Sequence, residues 1–241
     1  MSRSRLVAAN LALALLFAGA PIIAEQRPPK SPKATGPAAE KIRDGVYRIG
    51  TIEVDTIKKE ARVAAVINSD VTTLEWVANT KGGAKAYESA LTVDTNATTF
   101  NAALLLMGLD PSRGRLPTRH FDPIAPQGDA VEIWLEWGTG ASARRIRVEE
   151  ILWDRRTETT LPAGPWVYTG SGLSDGHYMA DLDGVLIGFV HSQSPVIENP
   201  RPGAVDAFGF VVLNTVRVGL PLNAKLTMMV RAVPPTPKGQ R

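Results

Sequence analysis

The strongest constraint on this chain is a period of two. Stretches 46–57, 62–68, 72–78, 85–93, 131–137, 144–153, 166–169, 177–180, 185–190, 208–213 and 225–231 alternate apolar and polar residues or are dense in β-branched and aromatic ones. Successive side chains of a strand point to opposite faces, so such runs read as strands. The spacers carry turn chemistry. Asp183-Gly184 precedes the 185–190 run. Asp-Gly tolerates positive φ, which a two-residue type I′ hairpin needs. Gly82-Gly83 separates 72–78 from 85–93 and suggests a hairpin with a longer loop. Strands joined by short turns pair antiparallel.

One segment has helical spacing instead. Ala97, Phe100, Leu104 and Met107, with Ala103 alongside, share one face of a helix. Asp94, Thr95 or Asn96 can cap its start, Gly108 suits its end, and Asp110-Pro111 forbids continuation. Residues 110–130, rich in proline and glycine, read as a long exposed loop. The expected fold is α+β, mainly antiparallel β, a sandwich or partly open barrel with one main helix near 97–108.

The ends read differently. Residues 1–24 have the order of a signal peptide: Arg3 and Arg5, an apolar run over 11–20, the breaker Pro21, and Ala24 at a cleavage site. This predicts a periplasmic or secreted protein, cleaved near Ala24. The alternative is an uncleaved anchor over 6–24, the one route to a membrane. Residues 25–40 read as a Pro-rich linker, 41–231 as a single globular domain, and 232–241 as a Pro-rich flexible tail. The chain has 27 Lys+Arg against 24 Asp+Glu, a net charge of +3. The leader contributes +2, the linker +1 and residues 231–241 another +3, so 41–230 carries −3. A mildly acidic folded region argues against a nucleic-acid partner. The sequence has no cysteine. That excludes disulfides, thiolate zinc sites, cysteine-held iron–sulfur clusters, a cysteine nucleophile and a lipidated N-terminal cysteine. No cofactor and no metal are expected.

Local motifs for chemistry are weak. Gly172-Leu173-Ser174-Asp175-Gly176 matches the nucleophile-elbow string, but no helix pattern follows it. Asp175, Asp181 and Asp183 lack calcium-loop spacing, and Asp181 and Asp183 read as hairpin-turn residues. His120, His177 and His191 have no metal spacing. Arg113, Arg115 and Arg119, or Arg144, Arg145 and Arg147, could meet an anionic glycan or headgroup; Glu149 and Glu150 favour a solvated face for the second group. Glu75 and Glu88 are more distinctive. If Ala78 pairs with Lys85 across Gly82-Gly83, Glu75 falls opposite Glu88, on a face shared with the small residues Ala86, Ala90 and Thr92. Two opposed carboxylates repel, raise one pKa, and can share a proton, bind a cation or accept hydrogen bonds from a ligand.

The same segments carry a resemblance. Leu74-Glu75-Trp76-Val77-Ala78, then 82–89 (Gly-Gly-Ala-Lys-Ala-Tyr-Glu-Ser), then 102–109 (Ala-Ala-Leu-Leu-Leu-Met-Gly-Leu), 166–171 (Trp-Val-Tyr-Thr-Gly-Ser) and the closing stretch from Val218-Gly219-Leu220-Pro221 to Val230 resemble the YdjY-type domain. The resemblance spans most of 44–231. It implies a bacterial envelope or exported protein, in a family without an established activity. Members often show His-Glu-Ser where this chain has Tyr87-Glu88-Ser89, which weakens any metal or base reading at that position. Ferredoxin-like labels attached to some relatives cannot extend to a chain without cysteine. Glu75, Glu88 and Ser89 are therefore the candidate ligand-binding residues, and no catalytic residue is assigned. Three functions follow: a non-catalytic exported binding or structural domain for an envelope glycan, peptide or protein; a hydrolase using the Glu75/Glu88 pair; or an accessory subunit of an envelope complex.

Overall fold

A computed structural model describes residues 36–234. The leader 1–24, most of the linker 25–40 and most of the tail 232–241 lie outside the described residues. Eight strands close into a barrel: β1 (Glu60–Ile67), β2 (Trp76–Thr80), β3 (Ser89–Val93), β4 (Asp129–Trp137), β5 (Trp166–Tyr168), β6 (Val185–Gly188), β7 (Ile197–Glu198) and β8 (Lys225–Ala232). Around the barrel the order is β1-β8-β4-β5-β7-β6-β2-β3, and β3 returns to β1.

This corrects the expected sandwich or partly open barrel in two respects. The sheet is closed, and it is mixed. Closure comes from the antiparallel pairing of β1 with β3, Ala65 opposite Val93 and Ile67 opposite Leu91. It leaves none of the eight strands with an open edge. The mixing comes from β2 and β3, which run parallel with Trp76 beside Ser89 and Thr80 beside Val93, and from β6 and β7, parallel at Ile187 and Ile197. The Gly82-Gly83 segment is therefore not a hairpin. Parallel neighbours usually need a crossover of a dozen residues or more. Here the strands are so short that a return through turns at 81–85 and a single 3₁₀ turn at 86–88 reaches back to the start of β2.

Two turn readings change for related reasons. Gly184, at φ 67°, is the left-handed cap of a short helix α2 (Met179–Asp183), and not half of a hairpin. The Asp-Gly hairpin occurs instead at Asp175-Gly176, with φ of 51° and 80°, between Leu173–Ser174 and His177–Tyr178. That turn accounts for the nucleophile-elbow string, and Ser174 is exposed on it. Helix α1 (Ala97–Leu106) starts at Asn96, whose side chain accepts from Thr99 N at 2.7 Å. Asp181 of α2 also accepts from Ala97 N and Thr98 N, at 3.0 and 3.1 Å. Asp181 thus serves as a second cap for α1, and not as a hairpin-turn residue.

Strands 46–49, 52–55 and 39–43 continue the sheet outward from β1 as a meander. The outermost, Ala39–Arg43, begins inside the stretch read as linker and is exposed throughout. Residues 144–147 pair with β4, where Arg147 reaches Glu132 at 2.8 Å and Glu149 at 3.0 Å, and Arg145 bonds Glu136. These arginines face carboxylates of their own chain. The core is one cluster that joins the barrel to α1 through Phe100, Ala103 and Leu104.

Candidate functional site

The site forms where β2 begins. Because β2 and β3 are parallel and Trp76 lies beside Ser89, the residues just before them, Glu75 and Glu88, are also neighbours. Glu75 N donates to Glu88 O at 2.9 Å. On its other side, Glu75 O accepts from Phe189 N and Val190 N at 3.1 and 3.2 Å. The Glu75 backbone is thus pinned between two strands, which fixes where its side chain emerges. The two carboxylates come together through a parallel register, not the antiparallel one expected.

Both side chains are largely buried, each 14% exposed, and they are in hydrogen-bond contact. Burial first, then the Glu88 charge and the hydrogen bond to Glu88, push the Glu75 pKa up to about 7, against a smaller opposing effect of Lys85. Two carboxylates this close hold one proton between them. Glu88 Oε2 is buried and no N–H or hydroxyl reaches it in bonding geometry. Lys85 Nζ stands 3.7 Å away. The exposed Tyr87 hydroxyl has its pKa raised, chiefly by its hydrogen bond to Glu88.

His120 has no metal-ligand spacing in the sequence, yet its Nε2 lies 3.1 Å from Glu75 Oε1. Its ring packs against Trp76 at 5.6 Å and edge-on to Phe121 at 4.3 Å. Burial, then Lys85, lower its pKa, so the ring is neutral at pH 7 and can donate Nε2–H to Glu75. The long loop that holds it is more ordered than an exposed connection. Asp122 is buried, and its carboxylate accepts from Thr118 N at 2.7 Å, Thr118 Oγ1 at 2.8 Å and Ile124 N at 2.9 Å. Those bonds hold its pKa down to about 2. Phe121 N donates to His191 O at 2.9 Å, and His191 Nδ1 meets Asp122 O at 2.7 Å. Loop 118–124 is therefore tied to loop 191–194.

Together these elements line a cleft of about 280 Å³ walled by Glu75, Trp76, Lys85, His120, Met179, Asp183 and Ser192–Ser194. Ser194 Oγ bonds Asp183. Trp76 is 3% exposed, and its indole N–H has no partner. Ser89 does not face the cleft chemistry: it is fully buried and its hydroxyl donates to Lys85 O at 2.7 Å, holding the 86–88 turn. Four other clefts are larger, about 500, 460, 420 and 380 Å³. In the two largest, Arg113 pairs with Asp129 and Arg156 with Asp154. Among the described residues, no group of three His, Asp or Glu is arranged to hold a metal ion. No helix of the described residues is long and apolar enough to cross a membrane.

No signal in the sequence pointed to His120, Lys85 or Asp183 as partners of the carboxylates. They come from separate elements, and no local spacing links them. The family model of the YdjY domain matches residues 52–203. No curated protein and no solved structure matches the chain. The matched residues run from the strand before β1 to just past β7, through the whole of the cleft described above, and the chain belongs to the YdjY domain family.

Proposed function

We propose that this is an exported, non-catalytic envelope domain that binds a small polar ligand in the cleft at Glu75, Glu88 and His120. One observation carries the reading. Glu75, a largely buried carboxyl group backed by Glu88, lines a cleft open to solvent beside a neutral histidine. Such a group costs folding energy, because burial disfavours its charge. A ligand that supplies hydrogen bonds there offsets that cost. Export is supported by the arginines, apolar run and Ala24 of residues 1–24. It is tested by sequencing the mature N-terminus, expected to begin at residue 25.

The hydrolase reading has less support. Glycoside hydrolysis by two carboxyl groups uses separations of about 5–5.5 Å or about 6.5–9.5 Å, leaving room for sugar or water. Of Glu75 and Glu88, only Glu75 walls the cleft. The binding reading is tested by thermal-shift screening of envelope-type compounds against the wild type and Glu88→Gln. Stabilisation of the wild type that Glu88→Gln loses is the expected result. A screen with no stabilising compound of any class would overturn it.

A further inference from the structure

We propose that the cleft takes a compact zwitterion, a free α-amino acid with a small side chain, whose carboxylate meets Lys85 and whose ammonium meets Asp183 and His120. The proposal rests on the binding reading above and names its ligand class.

Two opposite charges that share the wall without joining carry it. Lys85 and Asp183 both line the cleft. Their segments adjoin, since a Cβ on Gly83 would stand 3.1 Å from Gly184 O. Yet the two side chains make no ion pair with each other. The carboxylate within reach of Lys85 Nζ is that of Glu88, at 3.7 Å. That is too long for a hydrogen bond, and Glu88 Oε2 has no donor. The ammonium of Lys85 is therefore unspent, on a side chain 33% exposed. Asp183 takes the Ser194 hydroxyl on Oδ2 and has no partner on Oδ1 among the described residues. A carboxylate and an ammonium on one small molecule serve both ends of this wall. A ligand with a single charge serves one end and leaves the other to water.

His120 supplies the third contact. Its Nε2 faces Glu75 Oε1 at 3.1 Å, so the ring proton sits on Nε2 and Nδ1 is an acceptor. Nδ1 has no partner among the described residues, and the ring is 43% exposed at the cleft. The charges of Lys85 and Asp183 both reach this ring. An ammonium can donate to Nδ1 and to Asp183 Oδ1 together. Glu75 is not available to the ligand in the same way, because its carboxyl group is engaged by His120 and by Glu88. It is a positioning residue that fixes the tautomer of His120. At about 280 Å³ the cleft is at or below the small end of ligand pockets, which limits the side chain of the occupant.

The probes are L-alanine, ethylamine and propionate; the last two are alanine without its carboxylate and without its ammonium. The full chain is titrated by NMR of the histidine ring C–H signals, with His120 assigned through His120→Gln. The titrations run to tens of millimolar, as ligands this small require. Alanine is expected to shift the His120 signals and saturate, with each single-charge probe about tenfold weaker or more. Lys85→Met should weaken alanine about tenfold and leave ethylamine unchanged. Asp183→Asn should weaken alanine and leave propionate unchanged. Either single-charge probe binding as tightly as alanine would overturn the zwitterion. So would full affinity for alanine in Lys85→Met, which keeps the apolar stem of the side chain. Silence of alanine while another compound class stabilises the protein in a Glu88-dependent way would overturn this proposal and leave the binding reading standing. Silence of alanine and of the whole screen would overturn both.

Discussion

Strands β1, β4 and β8 are eight or nine residues long, antiparallel to their neighbours, and alternate buried with less buried residues. Strands β2, β3, β5, β6 and β7 are two to five residues long and buried almost without interruption. The first half of the barrel keeps one face in solvent, where Arg62, Arg145 and Arg231 meet Glu60 and Glu136. The second half is covered by α2, by the loops 110–128 and 189–196, and in part by α1, which also packs on the strands at 46–49 and 52–55. Parallel strands are typically buried on both faces, and both parallel pairings of this barrel lie in that covered half. The cleft lies there too, at the rim where the covering loops meet the start of β2. A covering layer made of loops brings polar backbone and side chains into the interior, and those are the groups that can serve a ligand.

The contrast is sharpest in large side chains. Trp166 of β5 is fully buried, its indole N–H bonds Glu149 Oε1 at 3.3 Å, and the Arg201 guanidinium lies over its ring at 5.0 Å. Trp166→Ala is expected to cost about 3–5 kcal/mol in guanidinium unfolding. Trp134, on the outer face of β4, should cost clearly less when cut to alanine. Equal losses would erase the distinction between the halves. Gly188 of β6 offers a second contrast. A Cβ there would stand 2.7 Å from Glu198 Oε2 and 2.9 Å from the Pro195 ring. Glu198 is fully buried, and burial holds its pKa well above the usual range, so the carboxyl group is neutral and packed tightly against that backbone. Gly188→Ala should cost about 1–3 kcal/mol by overpacking. A neutral outcome would show that this side of the barrel has slack.

The two halves also differ in how far the sequence reveals them. Expected strands 62–68, 131–137 and 225–231 lie within a residue or two of β1, β4 and β8, because one-sided burial writes itself as alternation. In the covered half that signal fails. Ile197–Glu198 had no strand signal at all, and the 72–78 run begins its strand only at Trp76. A strand buried on both faces has no polar positions to count, so direction was inferred from Gly82-Gly83, and wrongly. The site shows the same division. Glu75 and Glu88 are legible as carboxylates on adjoining segments, and they are neighbours in either strand direction. His120 is not legible, since its position depends on Asp122 folding the loop and on His191 some seventy residues away.

A pH series separates the halves without removing any packing. Glu75 has its folded pKa raised from 4.5 to about 7. A carboxyl group raised in this way contributes stability that is present below about pH 4.5 and lost as pH rises toward 7. Unfolding by urea between pH 4 and 8 should show that loss in the wild type and a flatter profile in Glu75→Gln. Asp122 works in the opposite sense. Its pKa is depressed to about 2, so its contribution is present above about pH 4 and is lost as pH falls toward 2. A wild-type profile with no fall between pH 4.5 and 7 would mean that the Glu75–Glu88 pair is hydrated and shares no proton.

The smallest effect should come from the solvent face of the open half. Arg145 is 44% exposed and meets Glu136, which Arg62 also bonds. Exposed pairs of this kind contribute about 0.2–1 kcal/mol, because water and salt screen the charges and both side chains lose rotamer freedom. Arg62 remains to pair Glu136 when Arg145 is lost, which places Arg145→Gln toward the lower end. Raising the salt to 1 M should remove most of what is left. A loss as large as that of Gly188→Ala would mean that the arginine–glutamate ladder holds β8 against β4 and the strand at 144–147. The open half would then owe its cohesion to its surface charges, and not to the apolar faces of β1, β4 and β8.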